Sequence, residues 1–279
     1  MINGLSRCST PVVLSIFSVF IAFFGVLSAA EPQGTSEETA FDRFRIDNVM
    51  TIRKEGEEKG MQIVTTTLFG EGMVIDFIGD NDEVIIYYRK IEKFVLLDPI
   101  HRVQTELPLS EIDQFITTLR GSLAEKKDPH SRFLLNPDFE ITHDSASGEI
   151  SFASKWYEYL IATRSFDDPQ MSEVYFEFID VYNKLNFYMN PGLYTPMART
   201  AINDLLSRQG RFPAKIRLYR YPKGKRLFAK PEIITSEHKI IRRLSEEDLG
   251  RIIRAQHFAA QFPKKTFGNY YKTVSRMQP

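Results

Sequence analysis

Residues 172–189 read SEVYFEFIDVYNKLNFYM. At about 100° per residue, Glu173, Glu177, Asp180 and Lys184 fall within an arc of roughly 60°, and most of the remaining positions are aliphatic or aromatic. A surface helix needs an apolar stripe of only ~100°. This one is apolar around most of its circumference, so it predicts a helix clasped in a concave apolar surface, with one polar slot facing water. Tyr175, Phe178, Ile179, Tyr182, Leu185 and Met189 are the candidate lining of a ligand groove along that helix.

The concave surface has to come from strands. Residues 44–53, 61–69, 73–78, 83–88, 93–98 and 102–107 are short β-branched or aromatic runs, separated by segments such as Gly70-Glu71-Gly72, Gly79-Asp80-Asn81-Asp82 and Asp98-Pro99. That spacing predicts an antiparallel meander. Ser110 with Asp113 resembles a capping box and opens a helix to about residue 125. A second strand group follows at 139–143, 149–153 and 156–164. Two helices, 172–189 and 196–208, are split by Asn190-Pro191-Gly192, and strands return at 214–221 and 227–241, the latter broken near Pro231. Ser245 with Asp248 caps a last helix to about residue 258. The predicted fold is α+β, a curved antiparallel sheet, half-open and barrel-like, enclosing helices in one domain over 41–262. A basic, aromatic tail without clear period occupies 263–279. The two Leu-Ser-Glu helix starts, at Leu109 and Leu244, echo each other, but capping chemistry recurs independently of ancestry.

Val12 to Leu27 carries no charge, Arg7 is the only charge in the first thirty residues, and Ser28-Ala29-Ala30 supplies small residues. This reads as a signal peptide, residues 1–30, cleaved before Glu31, with 31–40 a polar tether. An uncleaved anchor is the rival, because 11–30 is about as long as a ~20-residue span. Cys8 is the single cysteine and would leave with the signal. No Asn-x-Ser/Thr sequon occurs. The expected location is outside the cytoplasm, in the periplasm or beyond, in a bacterial envelope.

A chain of 279 residues with 43% hydrophobic and 26% charged residues is neither disordered nor a disulfide scaffold. Its zero net charge conceals a division. Residues 31–207 hold 17 Lys and Arg against 31 Asp and Glu, whereas 208–279 hold 18 against 5. Arg211, Lys215, Arg217, Arg220, Lys223, Lys225, Arg226 and Lys230 lie in a stretch without an acid. They form a candidate patch for an anionic membrane surface or envelope polymer. Nucleic acid suits the composition but not export. The bland alternative is that these basic strands pair with acidic ones across the sheet.

No constellation names a reaction. The five histidines are scattered without metal spacing, and no phosphate loop, nucleophile elbow or other cofactor motif is present. Glu173, Glu177 and Asp180 share a helix face but lack the His of a di-iron bundle, so a solvated ladder with an Asp180–Lys184 pair is the expectation. Asp80-Asn81-Asp82-Glu83 is a turn rather than a calcium loop. His143-Asp144 has no nucleophile beside it.

The run Asn81-Asp82-Glu83-Val84-Ile85-Ile86-Tyr87-Tyr88, followed by Phe94-Val95-Leu96-Leu97-Asp98-Pro99 and a helix, resembles the periplasmic lipoprotein-carrier (LolA-like) family over residues 41–120. That resemblance implies a half-open barrel whose helix-covered concave face binds acyl chains. Arg89-Lys90 stands where the family tends to have Asp-Pro, the chain is longer, and no family site residue is carried over. The expectation is therefore a non-catalytic exported protein that binds an apolar or lipidic ligand between sheet and helices, without a cofactor. The alternative is an adaptor that holds an anionic envelope component or protein through the basic strands.

Overall fold

A computed structural model describes residues 43–275 except 71, 80–82, 167, 192–194, 222–223 and 225–229. The signal peptide, the tether, the turn 80–82 and the basic residues Lys223, Lys225 and Arg226 lie outside the described residues. Six strands come first: β1 (Phe44–Lys54), β2 (Met61–Gly70), β3 (Met73–Ile78), β4 (Glu83–Tyr88), β5 (Lys93–Asp98) and β6 (Val103–Pro108). Helices α1 (Leu109–Ala124) and α2 (Pro129–Leu135) lead to β7 (Glu140–His143), β8 (Glu149–Ala153) and β9 (Tyr157–Ser165). Then come α3 (Pro169–Met189), α4 (Pro196–Arg208), β10 (Arg211–Arg220), β11 (Glu232–Ile241), α5 (Glu246–Gln261) and α6 (Phe267–Ser275).

All eleven strands form one open, curved antiparallel sheet in the order β6-β5-β4-β3-β2-β1-β11-β10-β9-β8-β7. The fold is α+β, as expected. Two meanders meet in the middle, where β1 pairs with β11 over ten positions from Arg45↔Ile241 to Lys54↔Glu232. This long-range pair makes the concave faces of both meanders continuous. Phe44, Phe69, Val74, Tyr87, Phe94 and Leu96 from the first half and Phe152, Tyr159, Ile161 and Leu218 from the second belong to a single core under the helices.

The other face is covered only in part. Leu68, Ile75, Phe77, Val84, Ile86, Val95 and Leu97 form a second core under Ile252, Ala255 and Phe262. Strands β3, β4 and β5 are thus buried on both sides, which is why their inner positions are apolar apart from the buried Asp76, whereas β8 and β9 alternate buried and half-buried residues. Helix α5 starts in the expected capping box, with Asp248 N–H donating to Ser245 Oγ at 3.1 Å and Ser245 N–H to Asp248 Oδ2 at 2.9 Å. Arg45 of β1 adds an ion pair to Asp248 at 3.1 Å, and the Arg251 guanidinium lies 4.0 Å from the centre of the Phe77 ring.

The corresponding box at Ser110 does not form. Helix α1 begins two residues earlier than a Ser110 cap would start it, directly after Pro108, so Ser110 is already inside the first turn, and Asp113 pairs with Lys184 instead. The two echoing junctions are also inequivalent in the sheet. Helix α1 follows the edge strand β6 and packs on the concave core, while α5 follows the central strand β11 and packs on the opposite face. Helix α2 has no amphipathic signal long enough to read from sequence; Asp128 caps it by accepting from Ser131 N–H at 2.9 Å.

Residues 262–275, without legible period, wrap the open edge of the sheet. Gln104 N–H donates to Pro263 O at 3.1 Å, Lys265 N–H to Gln104 O at 2.8 Å, and Lys264 pairs with Glu106 at 2.6 Å. Helix α6 then turns onto the concave side, where Tyr270 joins the main core. An edge that would otherwise offer unpaired backbone is closed this way. The buried Gln104 side chain also donates to Ala259 O at 2.8 Å and Phe262 O at 2.6 Å. Gln104→Leu leaves both carbonyls unmet and is expected to lower stability by about 2–4 kcal/mol. Urea unfolding checks the value, and faster amide exchange confined at first to 262–275 checks the cause.

Candidate functional site

Helix α3 lies in the concave face, as its composition demands. Tyr175, Phe178 and Leu185 are no more than 2% exposed, and Ile179, Tyr182 and Met189 pack half-buried against the same core. Phe178 meets Phe69 edge-on at 5.6 Å and Tyr87 at 6.4 Å; Tyr175 meets Phe212 at 5.3 Å. The six candidate groove residues therefore share one interface with both halves of the sheet, and in this state protein side chains fill it.

The polar face of α3 is not a ladder in water. Glu177 accepts from Arg89, in the 3-10 turn between β4 and β5, at 3.2 and 2.6 Å. Asp180 accepts from Asn203 of α4 at 2.7 Å, and Lys184 reaches Asp113 of α1 at 2.8 Å rather than Asp180. Tyr188 donates to Glu111 at 2.6 Å and Tyr182 to Asp76 at 2.6 Å. The same-helix pair was the natural expectation because i, i+4 spacing is visible in sequence, whereas a partner about seventy residues away is not. Helix α3 is thus an apolar body held at its rim by polar clasps. A cleft of about 580 Å³ runs between α3 and α4 past Glu173, Glu177, Asp180 and Asp204.

Some polar groups lie inside the cradle. Asp76 is 2% exposed and accepts from Thr67 Oγ1 at 2.6 Å as well as from Tyr182; burial raises its pKa and both hydrogen bonds oppose the rise. Burial, with Asp98 and Asp76 nearby, pushes Glu83 up to about 7. Asp98 is itself buried and is bound by His101 at 2.5 Å. His238 sits where β11 meets β1, its Nδ1 2.7 Å from Pro213 O, and burial is the main cause of its fall to about 4. Sequence reading singled out none of these as a site, because each owes its state to strands far away in the chain. Among the described residues no group of three or more His, Cys, Asp or Glu is placed to hold a metal. Asp144 is spent within its own turn, accepting from Ser147 at 2.6 Å, and His143 lies exposed on β7.

The basic residues divide. Lys215 pairs with Glu237 at 2.6 Å and Arg220 with Glu232 at 2.6 Å, both across the β10–β11 ladder. Arg211 and Lys230 are exposed, and Arg217 is half-buried on the face away from the helices. The two pairs are the cross-strand cancellation that β-pairing allows.

No family model matches the chain, and no curated protein matches it. One solved structure that it resembles is a LolA superfamily protein from Nitrosomonas europaea, 8% identical, with a TM-score of 0.28 over 75% of this chain and 90% of that one. These figures describe a weak resemblance of fold and transfer neither activity nor site.

The titrations of Glu83 and His238 act in opposite senses. A carboxyl whose folded pKa is raised stabilises the fold below its ordinary value of 4.5, and that contribution is lost as pH rises through about 7. A histidine whose folded pKa is lowered contributes above 6.5, and that contribution is lost as pH falls towards 4. Each is worth about 3 kcal/mol. Between pH 4.5 and 6.5 the two slopes are expected to cancel in the parent protein. Glu83→Gln should leave stability rising with pH across that window, and His238→Gln should leave it falling. Denaturant melts across the window test both slopes.

Proposed function

We propose that this protein is an exported, non-catalytic carrier that takes up an apolar or lipidic ligand between the concave sheet and α3. The observation that carries this reading is the contrast between the two sides of the helix, an aromatic interface with the sheet on one and separable polar clasps on the other. Export rests on the apolar N-terminal segment and its small-residue cleavage site. Among the described residues no helix is long and apolar enough to cross a membrane.

Magnitudes restrict how the cradle opens. Withdrawing the buried Met171, Val174, Tyr175, Phe176, Phe178, Val181, Leu185 and Phe187 together would cost on the order of 15–20 kcal/mol at ~2 kcal/mol each, more than a domain's whole stability. The half after Asp180 buries only Val181, Leu185 and Phe187, for about 6 kcal/mol, which burial of eight ligand methylenes offsets at ~0.8 kcal/mol each. The moving part is therefore residues 181–189, released when Lys184 leaves Asp113, Tyr188 leaves Glu111 and Tyr182 leaves Asp76. The first two clasps are partly exposed and worth about 1 kcal/mol or less.

Organic extraction and mass spectrometry of protein purified from its native host should recover a stoichiometric long-chain molecule, and a fluorescent fatty acid should bind the stripped protein. Absence of both defeats the reading. The variant Lys184→Gln/Tyr188→Phe should take up the fluorescent ligand about three- to tenfold faster, with faster amide exchange limited to 181–189.

A second reading, an adaptor for an anionic envelope component, is favoured by the exposure of Arg211 and Lys230. It expects retention on anionic vesicles that weakens steeply with salt. Replacing Lys223, Lys225 and Arg226 with Glu should abolish that retention; unchanged retention removes the patch from consideration.

A further inference from the structure

Arg199, in the first turn of α4, is 8% exposed, and its Nη1 has no hydrogen-bond partner. It makes no ion pair among the described residues. Its neighbour is the Tyr175 hydroxyl, which burial pushes up to about 12 while Arg199 works the other way. Asp180 feels its charge, but that carboxylate accepts from Asn203. A buried guanidinium without a close counter-charge costs several kcal/mol, a cost removed when an anion arrives.

One side-chain layer away there is a cavity of about 220 Å³. Phe166, Met171, Phe212, His238, Arg164 and Arg242 line it, and among the described residues no acidic side chain does. Arg164 is exposed and makes no ion pair among the described residues. Arg199 belongs to the same region, because its charge helps hold the His238 imidazole neutral and because Tyr175, beside it, packs on the Phe212 wall at 5.3 Å. At ~30 Å³ per water the cavity has room for about seven waters, enough for a carboxylate and a few methylenes.

We infer that this cavity is the head-group site for a single-chain amphiphile with a carboxylate end. The carboxylate lies between Arg164 and Arg242, with the charge of Arg199 acting from behind Tyr175 and Phe212, and its chain leads past Phe212 and Phe166 towards the cradle under α3. Guanidinium groups bind carboxylates strongly through paired hydrogen bonds, and the aromatic walls accept the first methylenes. The inference deepens the carrier reading and rests on it for the fate of the long chain, but the head-group site can be tested without the cradle.

Hexanoate is too short to need displacement of α3. Titrated into the full chain, it should bind saturably and move the His238 ring signals in NMR spectra, with hexanol binding at least tenfold more weakly. Arg164→Gln, an exposed change that leaves the fold intact, should weaken hexanoate about three- to tenfold and leave hexanol unchanged. Arg199→Met should weaken hexanoate at least fivefold without lowering the unfolding midpoint; if the midpoint does fall, Arg164→Gln decides alone. Equal binding of hexanoate and hexanol, no saturable binding of hexanoate, or tighter binding of hexyl phosphate than of hexanoate overturns the carboxylate site. A long neutral chain, hexadecanol, reports separately on the cradle, so loss of hexadecanol binding with hexanoate binding retained defeats the carrier reading and leaves the head-group site standing.

Discussion

A helix that is apolar on most of its sides has to be surrounded, and the rest of this molecule follows from that constraint. One meander cannot do it, because α3 touches Phe69 and Tyr87 from the first half of the sheet and, through Tyr175, Phe212 from the second. The surface needed is a curved sheet wide enough to reach both flanks. Pairing of β1 with β11 supplies it by joining strands nearly two hundred positions apart in the chain. Helices α1 and α4 then flank α3, and α6 folds over the end of the sheet that α5 and the wrapped edge leave open.

The same constraint explains where the molecule is strong and where it yields. Attachment of α3 through its aromatic face is worth far more than the clasps on its polar face, so in the proposed carrier the clasps would set when the helix moves and the ligand whether it stays moved. Polar groups inside the cradle are tolerated when strand and helix partners meet them, as Thr67 and Tyr182 meet Asp76. Arg199 is one of several buried polar groups with an unmet atom, Thr195 Oγ1 and Tyr270 Oη among them. A buried charge of this kind is kept at a cost, which an anionic ligand at the proposed site would offset.

Much of the fold was legible in sequence because it rests on local signals. The β-branched and aromatic runs of β3 to β5, the Ser245 box and the Asn190-Pro191 break are all read within a few residues of where they act. What was not legible depends on distance along the chain. Asp113 could be read as a capping residue from its spacing to Ser110, but only the fold brings it to Lys184. The wrapped edge carries no period because its order comes from Gln104 and not from its own sequence. The groove residues of α3 could be named in advance because one helix contains them. Arg164, Phe212 and His238 come from three separate strands, so the cavity they line had no signature. The basic stretch was visible as composition, yet the partners Glu232 and Glu237 that neutralise part of it follow from strand register.

The central claim is that apolar ligand enters beneath the second half of α3, and it is tested most directly by fastening that half shut. Asp113 and Lys184 face each other across the α1–α3 clasp at 2.8 Å, and the only cysteine of the chain, Cys8, lies ahead of the apolar N-terminal run and is absent from a protein starting at Glu31. Asp113→Cys/Lys184→Cys, bridged by a short bis-maleimide, should lose hexadecanol binding by at least tenfold, while the same protein with each thiol separately capped binds as the parent does. Equal hexadecanol binding by the bridged and the capped proteins would contradict the account.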